Sequence, residues 1–284
     1  MNTELKNYSD TNYLLLSKLS NYLNKDKQDI DEDMVNNLSK EIGIDNDSAY
    51  RILLATFLDV SENEDIMTNY FPLMLKKLDV DDYIINPYYR NIELSDIDYK
   101  NWKVKMASYK PYELFVYDDL LKLDDGRIIP HIGYFEEEYF YPVIYQNDRE
   151  WMLITPNEIN TMKYYIDDAF GDVTTYGLGL GYYAYMASNK ENVKKVTIVE
   201  NDREVIALFK KYILPQFKNK EKIKIICEDA FIYSSKHIDT DYVFVDIWHD
   251  PTDGIELYKQ FKMIERPNIK YGYWIEKTMK CYMK

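Results

Sequence analysis

Cysteine, histidine and long apolar runs are scarce in this chain of 284 residues. The two cysteines, Cys227 and Cys281, lie in unlike sequence contexts, so no disulfide framework is indicated and a reducing, cytoplasmic location is expected. The three histidines have no partners at metal-ligand spacing, and we expect no metal site. No apolar run reaches the roughly 20 residues that cross a bilayer, and the N-terminal residues lack the basic and apolar regions of a signal peptide. We therefore expect no membrane association.

Positive charge is also in short supply, and the formal net charge is −14. Residues 1–108 carry 12 Lys and Arg against 20 Asp and Glu, and residues 109–284 carry 23 against 29. Neither part offers the general electrostatic attraction that most nucleic-acid binders need. We therefore expect no nucleic acid among the partners.

The first part of the chain, residues 1–108, has helical periodicity and is expected to form a helical domain. Two of its helices, near residues 31–42 and 47–58, meet at Gly43 with helix-turn-helix spacing. Asp45 and Asp47 stand where a DNA-reading helix would need cationic side chains. This favours a packing domain, or a lid that covers the ligand pocket and pairs two chains into a homodimer. Residues 109–154 are expected to form a small β segment.

Three of the nine glycines fall in the window from Tyr176 to Gly181, at 177, 179 and 181. An apolar run precedes them and another, ending in Glu200, follows. Strand, glycine turn, helix, strand and acid is the layout of a nucleotide-binding βαβ unit, because glycine lets the backbone approach a ligand and an acid accepts hydrogen bonds from ribose. From residue 155 onward strands and helices alternate, which predicts an α/β domain, 155–284, with a Rossmann-like, doubly wound, mostly parallel sheet.

Three further segments carry a resemblance to a known family. They are 199–215, 228–231 and 245–251, and with the glycine turn they make residues 155–250 resemble a class I S-adenosylmethionine-dependent methyltransferase core, nearest to its spermidine synthase-like branch. The resemblance implies S-adenosylmethionine as cofactor. It departs from the family pattern at Thr175, where methyltransferases usually have an acid, and in a sheet that lacks the last strands.

Residue by residue, the resemblance implies a cofactor site at the ends of the strands. It implies that the amino-acid part lies against the turn, that the ribose hydroxyls bind the acid at the end of the second strand, that the adenine meets the acid-small pair after the third, and that an aspartate faces the reacting centre. The cofactor-binding residues so implied are Tyr176, Gly177, Gly179, Gly181, Glu200, Asn201, Asp229, Ala230 and Asp246.

Structural explanations compete with each of these roles. Glu200 could be an acid at a helix N-terminus, Asp229 an ordinary turn acid, and Asp246 a helix cap. With Asp246, the neighbouring His249 and Asp250 are candidate catalytic residues, because histidine titrates near neutrality and can move protons. A solvated loop would explain the last two equally well.

These features predict an enzyme, an S-adenosylmethionine-dependent methyltransferase acting on an oxygen or nitrogen atom of a small-molecule acceptor. One alternative is a non-catalytic or regulatory protein that retains the fold. A further alternative is a polyamine synthase-like aminopropyltransferase. The segment 86–89, Asn-Pro-Tyr-Tyr, is similar to the Asn-Pro-Pro-Tyr loop of amino-methylating enzymes, but it lies outside the predicted nucleotide domain.

Overall fold

Helices and strands are distributed along the whole chain in a computed structural model that describes residues 8–94, 97–236 and 239–283. The helices are α1 (Ser9–Leu23), α2 (Glu32–Ile42), α3 (Asn46–Phe57), α4 (Glu64–Asn69), α5 (Phe71–Met74), α6 (Asp81–Ile84), α7 (Pro87–Asn91), α8 (Pro156–Asp168), α9 (Tyr182–Ser188), α10 (Arg203–Leu208), α11 (Ala230–Ser235), α12 (Pro251–Met263) and α13 (Glu276–Tyr282). Within these ranges no helix has the length and apolar character needed to cross a membrane.

The strands form three separate sheets. They are β1 (Leu75–Lys77), β2 (Asp98–Tyr99), β3 (Trp102–Tyr109), β4 (Phe115–Lys122), β5 (Ile128–Tyr134), β6 (Tyr139–Gln146), β7 (Arg149–Leu153), β8 (Gly171–Tyr176), β9 (Val193–Glu200), β10 (Ile223–Cys227), β11 (Tyr242–Val245) and β12 (Lys270–Tyr273). The sheet orders are β1-β5-β4, β2-β3-β6-β7 and β10-β9-β8-β11-β12.

Two compact units interleave along the sequence. The first comprises Met1–Tyr83 with Ser108–Phe140, and the second Ile84–Ala107 with Tyr141–Lys284. This division differs from the three segments expected to meet near residues 108 and 154. The reason is strand pairing, since β5 pairs with both β1 and β4, whereas β6 and β7 share a sheet with β2 and β3. The expected β segment is thus divided between the units.

The first unit is built on the helix pair that the sequence predicted. Asp31 caps α2 by accepting a hydrogen bond from the Met34 amide at 3.0 Å, and Gly43 ends the helix in the left-handed conformation. Asp45 caps α3 in the same way. The helices pack with the three-stranded sheet around one buried cluster, which includes Leu15, Tyr50, Leu54, Tyr70, Ile129 and Ile132. The unit is therefore helical at its N-terminus, as predicted, but has a sheet in its core.

The second unit contains the predicted Rossmann-like sheet. All of its strand pairs are parallel, and β8 and β11, at the centre, are almost wholly buried, as expected of strands covered on both faces. If the five strands are numbered 1 to 5 along the chain, their spatial order in the sheet is 3-2-1-4-5, so the order reverses between β8 and β11. Because crossovers between parallel strands are right-handed as a rule, a reversal of strand order is expected to place helices on both faces of the sheet. The prediction of an α/β fold with a doubly wound, parallel sheet is confirmed.

The glycine turn after β8 is constrained by what lies against it. Gly177 has φ +94°, and a Cβ atom there would lie 1.8 Å from the carbonyl oxygen of Asp246. Gly179 has φ +50°, and a Cβ atom there would lie 1.9 Å from Sδ of Met152. The first neighbour is backbone and cannot yield, whereas the second is the flexible end of a side chain. Glycine is thus required at 177 by the fold itself.

We expect Gly177→Ala to cost more stability than Gly179→Ala. A positive φ costs alanine roughly 1–2 kcal/mol at either position, and Gly177→Ala adds a backbone clash that should bring its cost to about 3 kcal/mol or more. Urea unfolding followed by tryptophan fluorescence measures this, because all four tryptophans lie in the second unit. Equal losses in the two variants would contradict the assignment.

Candidate functional site

A cavity of about 700 Å³ opens at the carboxyl ends of the parallel strands, within the second unit. Its position is the point where the strand order reverses, between β8 and β11, which is where open α/β sheets bind their ligands. The loops after β8, β9, β10 and β11 all contribute to its wall, and so do β7 and the first turn of α8. The lining residues at the strand ends include most of those that the sequence singled out.

Eight of the predicted site residues meet in this cavity. They are Gly177, Gly179, Glu200, Asn201, Asp229, Ala230, Asp246 and His249. Three others, Tyr176, Gly181 and Asp250, are not part of its wall. That the eight residues contact a ligand stays a prediction, but the fold brings them to one place.

The two residues that flank the glycine turn serve packing. Tyr176 ends β8, where alternate side chains point to opposite faces, and its buried ring packs against that of Phe261 with centroids 5.2 Å apart. Gly181 lies at the N-cap of α9, and a Cβ atom there would lie 2.4 Å from the ring of Phe209. Close helix packing explains the third glycine and core packing explains the tyrosine. That either residue contacts a cofactor stays a prediction.

Asp250 is a helix cap. Its carboxylate accepts a hydrogen bond from the Thr252 amide at 2.6 Å, and with Asp253 it forms a capping box at the start of α12. His249 is exposed at the rim of the cavity, with Nδ1 3.2 Å from a carboxylate oxygen of Asp253. The side-chain partner of His249 is thus Asp253, while Asp250 caps the helix. A catalytic role for either His249 or Asp250 stays a prediction.

Glu200 is 8% exposed and organises the backbone around it. One carboxylate oxygen accepts a hydrogen bond from the Leu178 amide at 3.2 Å and the other from the Asp202 amide at 2.8 Å. Burial raises the pKa of Glu200, although these hydrogen bonds oppose the shift. The helix-cap role considered for Glu200 belongs to Asp202, which caps α10. Since a carboxylate has about four acceptor positions, Glu200 can still accept two ligand hydroxyls.

Asp229 caps a helix and also lies in the cavity wall. One of its oxygens accepts hydrogen bonds from the Phe231 and Ile232 amides, at 2.9 and 3.0 Å, and so caps α11. The same residue and the following Ala230 line the cavity. Because the cap fixes the position of the Asp229 carboxylate beside the cavity, this side chain is suitably placed to contact a ligand.

Asp246 follows β11 and is held by its own backbone. Its amide donates to the carbonyl of Tyr176 at 2.9 Å, which extends the pairing of β8 with β11 by one residue. The side chain is partly buried, and burial raises the pKa of Asp246 to about 8, with Glu158 and Glu200 adding to the shift through charge repulsion. A carboxyl group with this pKa can hold a proton at neutral pH.

Glu158 is a cavity residue that the motif analysis missed. The sequence indicates a capping box, and the box is present, because the Thr155 amide donates to Glu158 at 2.8 Å. Its place at the start of α8 also puts Glu158 in the cavity wall, where burial raises its pKa to about 7. The only signal in the sequence was an acid in the first turn of a helix. Helix capping is sufficient to explain an acid at that position, so the sequence did not indicate a ligand site. The contribution of β7 had no sequence signal.

Acidic side chains dominate the cavity wall. Six acids and one arginine, Arg149, line it, and the acids are Glu150, Glu158, Glu200, Glu228, Asp229 and Asp246. In the ranges that the structure describes, no three His, Cys, Asp or Glu side chains are arranged to hold a metal ion. A wall of this charge attracts organic cations.

The segment 86–89 belongs to this unit and supports the glycine turn. The Tyr88 hydroxyl donates to the Leu180 carbonyl at 2.5 Å, and the Asn86 side chain donates to the Tyr182 hydroxyl at 2.9 Å. These residues are not in the cavity wall. Their similarity to an amino-methylating loop therefore has a structural explanation, which is to tether the turn.

No protein-family model and no curated protein sequence matches the chain. Similar solved structures include precorrin 8W decarboxylase from Methanobacterium thermoautotrophicum, with 16% identity and a TM-score of 0.33 over 42% of this chain and 63% of that one. A probable spermidine synthase from Corynebacterium glutamicum is 18% identical, with a TM-score of 0.34 over 47% of this chain and 55% of that one. Spermidine synthase from Thermotoga maritima is 16% identical, with a TM-score of 0.33 over 46% of this chain and 49% of that one.

The chain thus spans less than two thirds of each of these proteins. At these identities a likeness concerns the fold and leaves the reaction open.

The buried carboxyls predict how stability depends on pH. In Glu158 and Asp246 the folded pKa lies above the ordinary value, so at intermediate pH the folded state holds protons that the unfolded state has released. Stability should therefore fall as the pH rises from about 4 to about 8. Asp246→Asn should reduce this fall, as measured by thermal unfolding at about pH 5 and about pH 8.

Glu150→Gln, which changes an exposed carboxylate of the same wall, is the control for net charge. An equal reduction of the pH dependence in both variants would show that net charge, and not burial of Asp246, causes the effect.

Proposed function

We propose that the protein is an S-adenosylmethionine-dependent methyltransferase that acts on an oxygen or nitrogen atom of a small molecule. The observation that carries the proposal is the convergence of the glycine turn, Glu200, Asp229 and Asp246 on one cavity at the reversal point of the sheet. The βαβ layout of the sequence predicted the glycine turn and Glu200, and the resemblance to the methyltransferase family implied Asp229 and Asp246. Their meeting in space is what a cofactor site requires.

The residues of the wall fit the parts of S-adenosylmethionine. Glu200 has acceptor positions left for the two ribose hydroxyls, and Asp229 with the Ala230 backbone would meet the adenine. The turn at Gly177 and Gly179 would face the amino-acid part. When bound, the cofactor supplies an electrophilic methyl group on a positively charged sulfur, and the acidic wall suits that charge.

Asp246 would act as the base. Its pKa of about 8 in the free protein lies close to the range that favours general base catalysis. A cation bound nearby lowers the pKa of a carboxyl group, so the side chain would be ionised when the sulfonium is in place. The Asp246 carboxylate would then take the proton of the acceptor O–H or N–H. His249, at the rim and oriented by Asp253, would pass that proton to solvent.

A non-catalytic role is the second candidate, and the packing of the turn favours it. The Leu178 amide is engaged by Glu200 and the Leu180 amide by Met152, so donors that a ligand would use have partners within the chain. Thr175, in place of the usual acid, is buried in β8. An aminopropyl transfer to a polyamine would also suit an acidic wall, and it would need decarboxylated S-adenosylmethionine as donor.

Isothermal titration with S-adenosylmethionine and S-adenosylhomocysteine tests the proposal. We expect both to bind, and Glu200→Gln to weaken both by roughly 10- to 150-fold, because a lost hydrogen bond to a charged group costs about 1.5–3 kcal/mol. Gln is the smaller change, since its amide oxygen can keep one of the two backbone hydrogen bonds that Glu200 accepts, from Leu178 and Asp202, whereas Glu200→Ala would remove both.

Glu150→Gln serves as the control, and we expect it to keep nearly full affinity because its side chain is exposed. Absence of binding of both compounds to the wild-type protein at millimolar concentration would refute the methyltransferase and favour the non-catalytic role. Product formed only from decarboxylated S-adenosylmethionine and an amine would favour the aminopropyltransferase.

A further inference from the structure

The Met152 side chain occupies the surface of the glycine turn. Its Sδ lies 1.9 Å, and its Cε 2.4 Å, from the position that a Cβ atom on Gly179 would take. The Leu180 amide donates a hydrogen bond to Sδ at 3.3 Å. Met152 comes from β7, which lies at the end of its own four-stranded sheet, and it lines the cavity. A thioether from the protein therefore covers the turn that the proposed function gives to the amino-acid part of the cofactor.

The acids expected to bind the nucleoside lie elsewhere in the cavity wall. Glu200 and Asp229 line the cavity at the ends of β9 and β10. Glu200 accepts from the amides of Leu178 and Asp202, and Asp229 from amides at the start of α11. Met152 contacts the turn at Gly179 and Leu180, so its side chain covers the part of the wall proposed for the amino-acid tail.

The cover is of a kind that a ligand can displace. Sulfur is a weak hydrogen-bond acceptor, and the methionine side chain has three rotatable bonds and adapts its packing easily. Met152 is also only half-buried. A ligand carboxylate would be a stronger acceptor for the Leu180 amide than the thioether that it replaces. The neighbour of Gly177, in contrast, is the fixed backbone of Asp246.

We propose that Met152 is a specificity-determining residue, one that leaves the nucleoside region accessible and makes binding of an amino-acid tail depend on its own displacement. This inference rests on the proposed function. The ligand class that the unliganded protein binds most readily is then an adenine nucleoside without a charged amino-acid tail. A ligand with such a tail must displace Met152.

Two neutral thioethers, 5′-methylthioadenosine and S-adenosylhomocysteine, test this, because both carry the nucleoside and only the second carries the tail. In Met152→Ala we expect the affinity for S-adenosylhomocysteine to rise by about tenfold and that for 5′-methylthioadenosine to stay the same, as measured by isothermal titration. Met152→Leu, which keeps the bulk, should retain the wild-type ratio of the two affinities. Thermal unfolding of each variant verifies that the fold is intact.

The outcomes separate this inference from the proposed function. Suppose that 5′-methylthioadenosine binds and that Met152→Ala leaves the ratio of the two affinities unchanged or lowers the affinity for S-adenosylhomocysteine. The role of Met152 is then overturned and the proposed function stands. If neither compound binds the wild-type protein or Met152→Ala, the proposed function fails and the inference fails with it.

Discussion

The backbone of Gly177 lies directly against the backbone of Asp246, and the cavity depends on this contact. The Asp246 amide continues the hydrogen bonding of β8 with β11, and a Cβ atom on Gly177 would overlap the Asp246 carbonyl. Because the strand order reverses between β8 and β11, the segments that follow these two strands lead away from each other and leave space at the carboxyl ends of the strands. Glycine at one position thus sets where the first loop turns and where the aspartate stands.

The charge of the cavity follows from the same geometry. Parallel strands end at one edge, so the acids that follow β9, β10 and β11 are brought together although they are distant in sequence. Burial then raises the pKa of Glu158, Glu200 and Asp246, to about 8 in the case of Asp246. A cavity wall with six acidic side chains and one arginine is stabilised by protons or by a cationic ligand.

Two structural roles turned out to explain residues that the resemblance assigned to the cofactor. Gly181 makes room for Phe209, and Tyr176 packs into the core with Phe261. Neither assignment could be separated from a ligand role by the sequence, because a glycine beside an aromatic ring and a glycine beside a ligand look the same in the chain. Glu200 and Asp229 keep a place in the wall while they also hold backbone amides.

The sequence by itself determined the local structure, the order of helices and strands along the chain, and the acids that end the buried strands. Caps at Asp31 and Asp45, the alternation of strands and helices after residue 155, and acids at the ends of buried strands all depend on neighbours within a few positions, which periodicity and turn chemistry describe. Only the tertiary structure decided which strand pairs with which, because pairing joins residues far apart in the chain. For that reason the division into two units, the arrival of β7 at the cavity, the place of Glu158 in its wall and the cover that Met152 forms over the turn had no signal in the sequence.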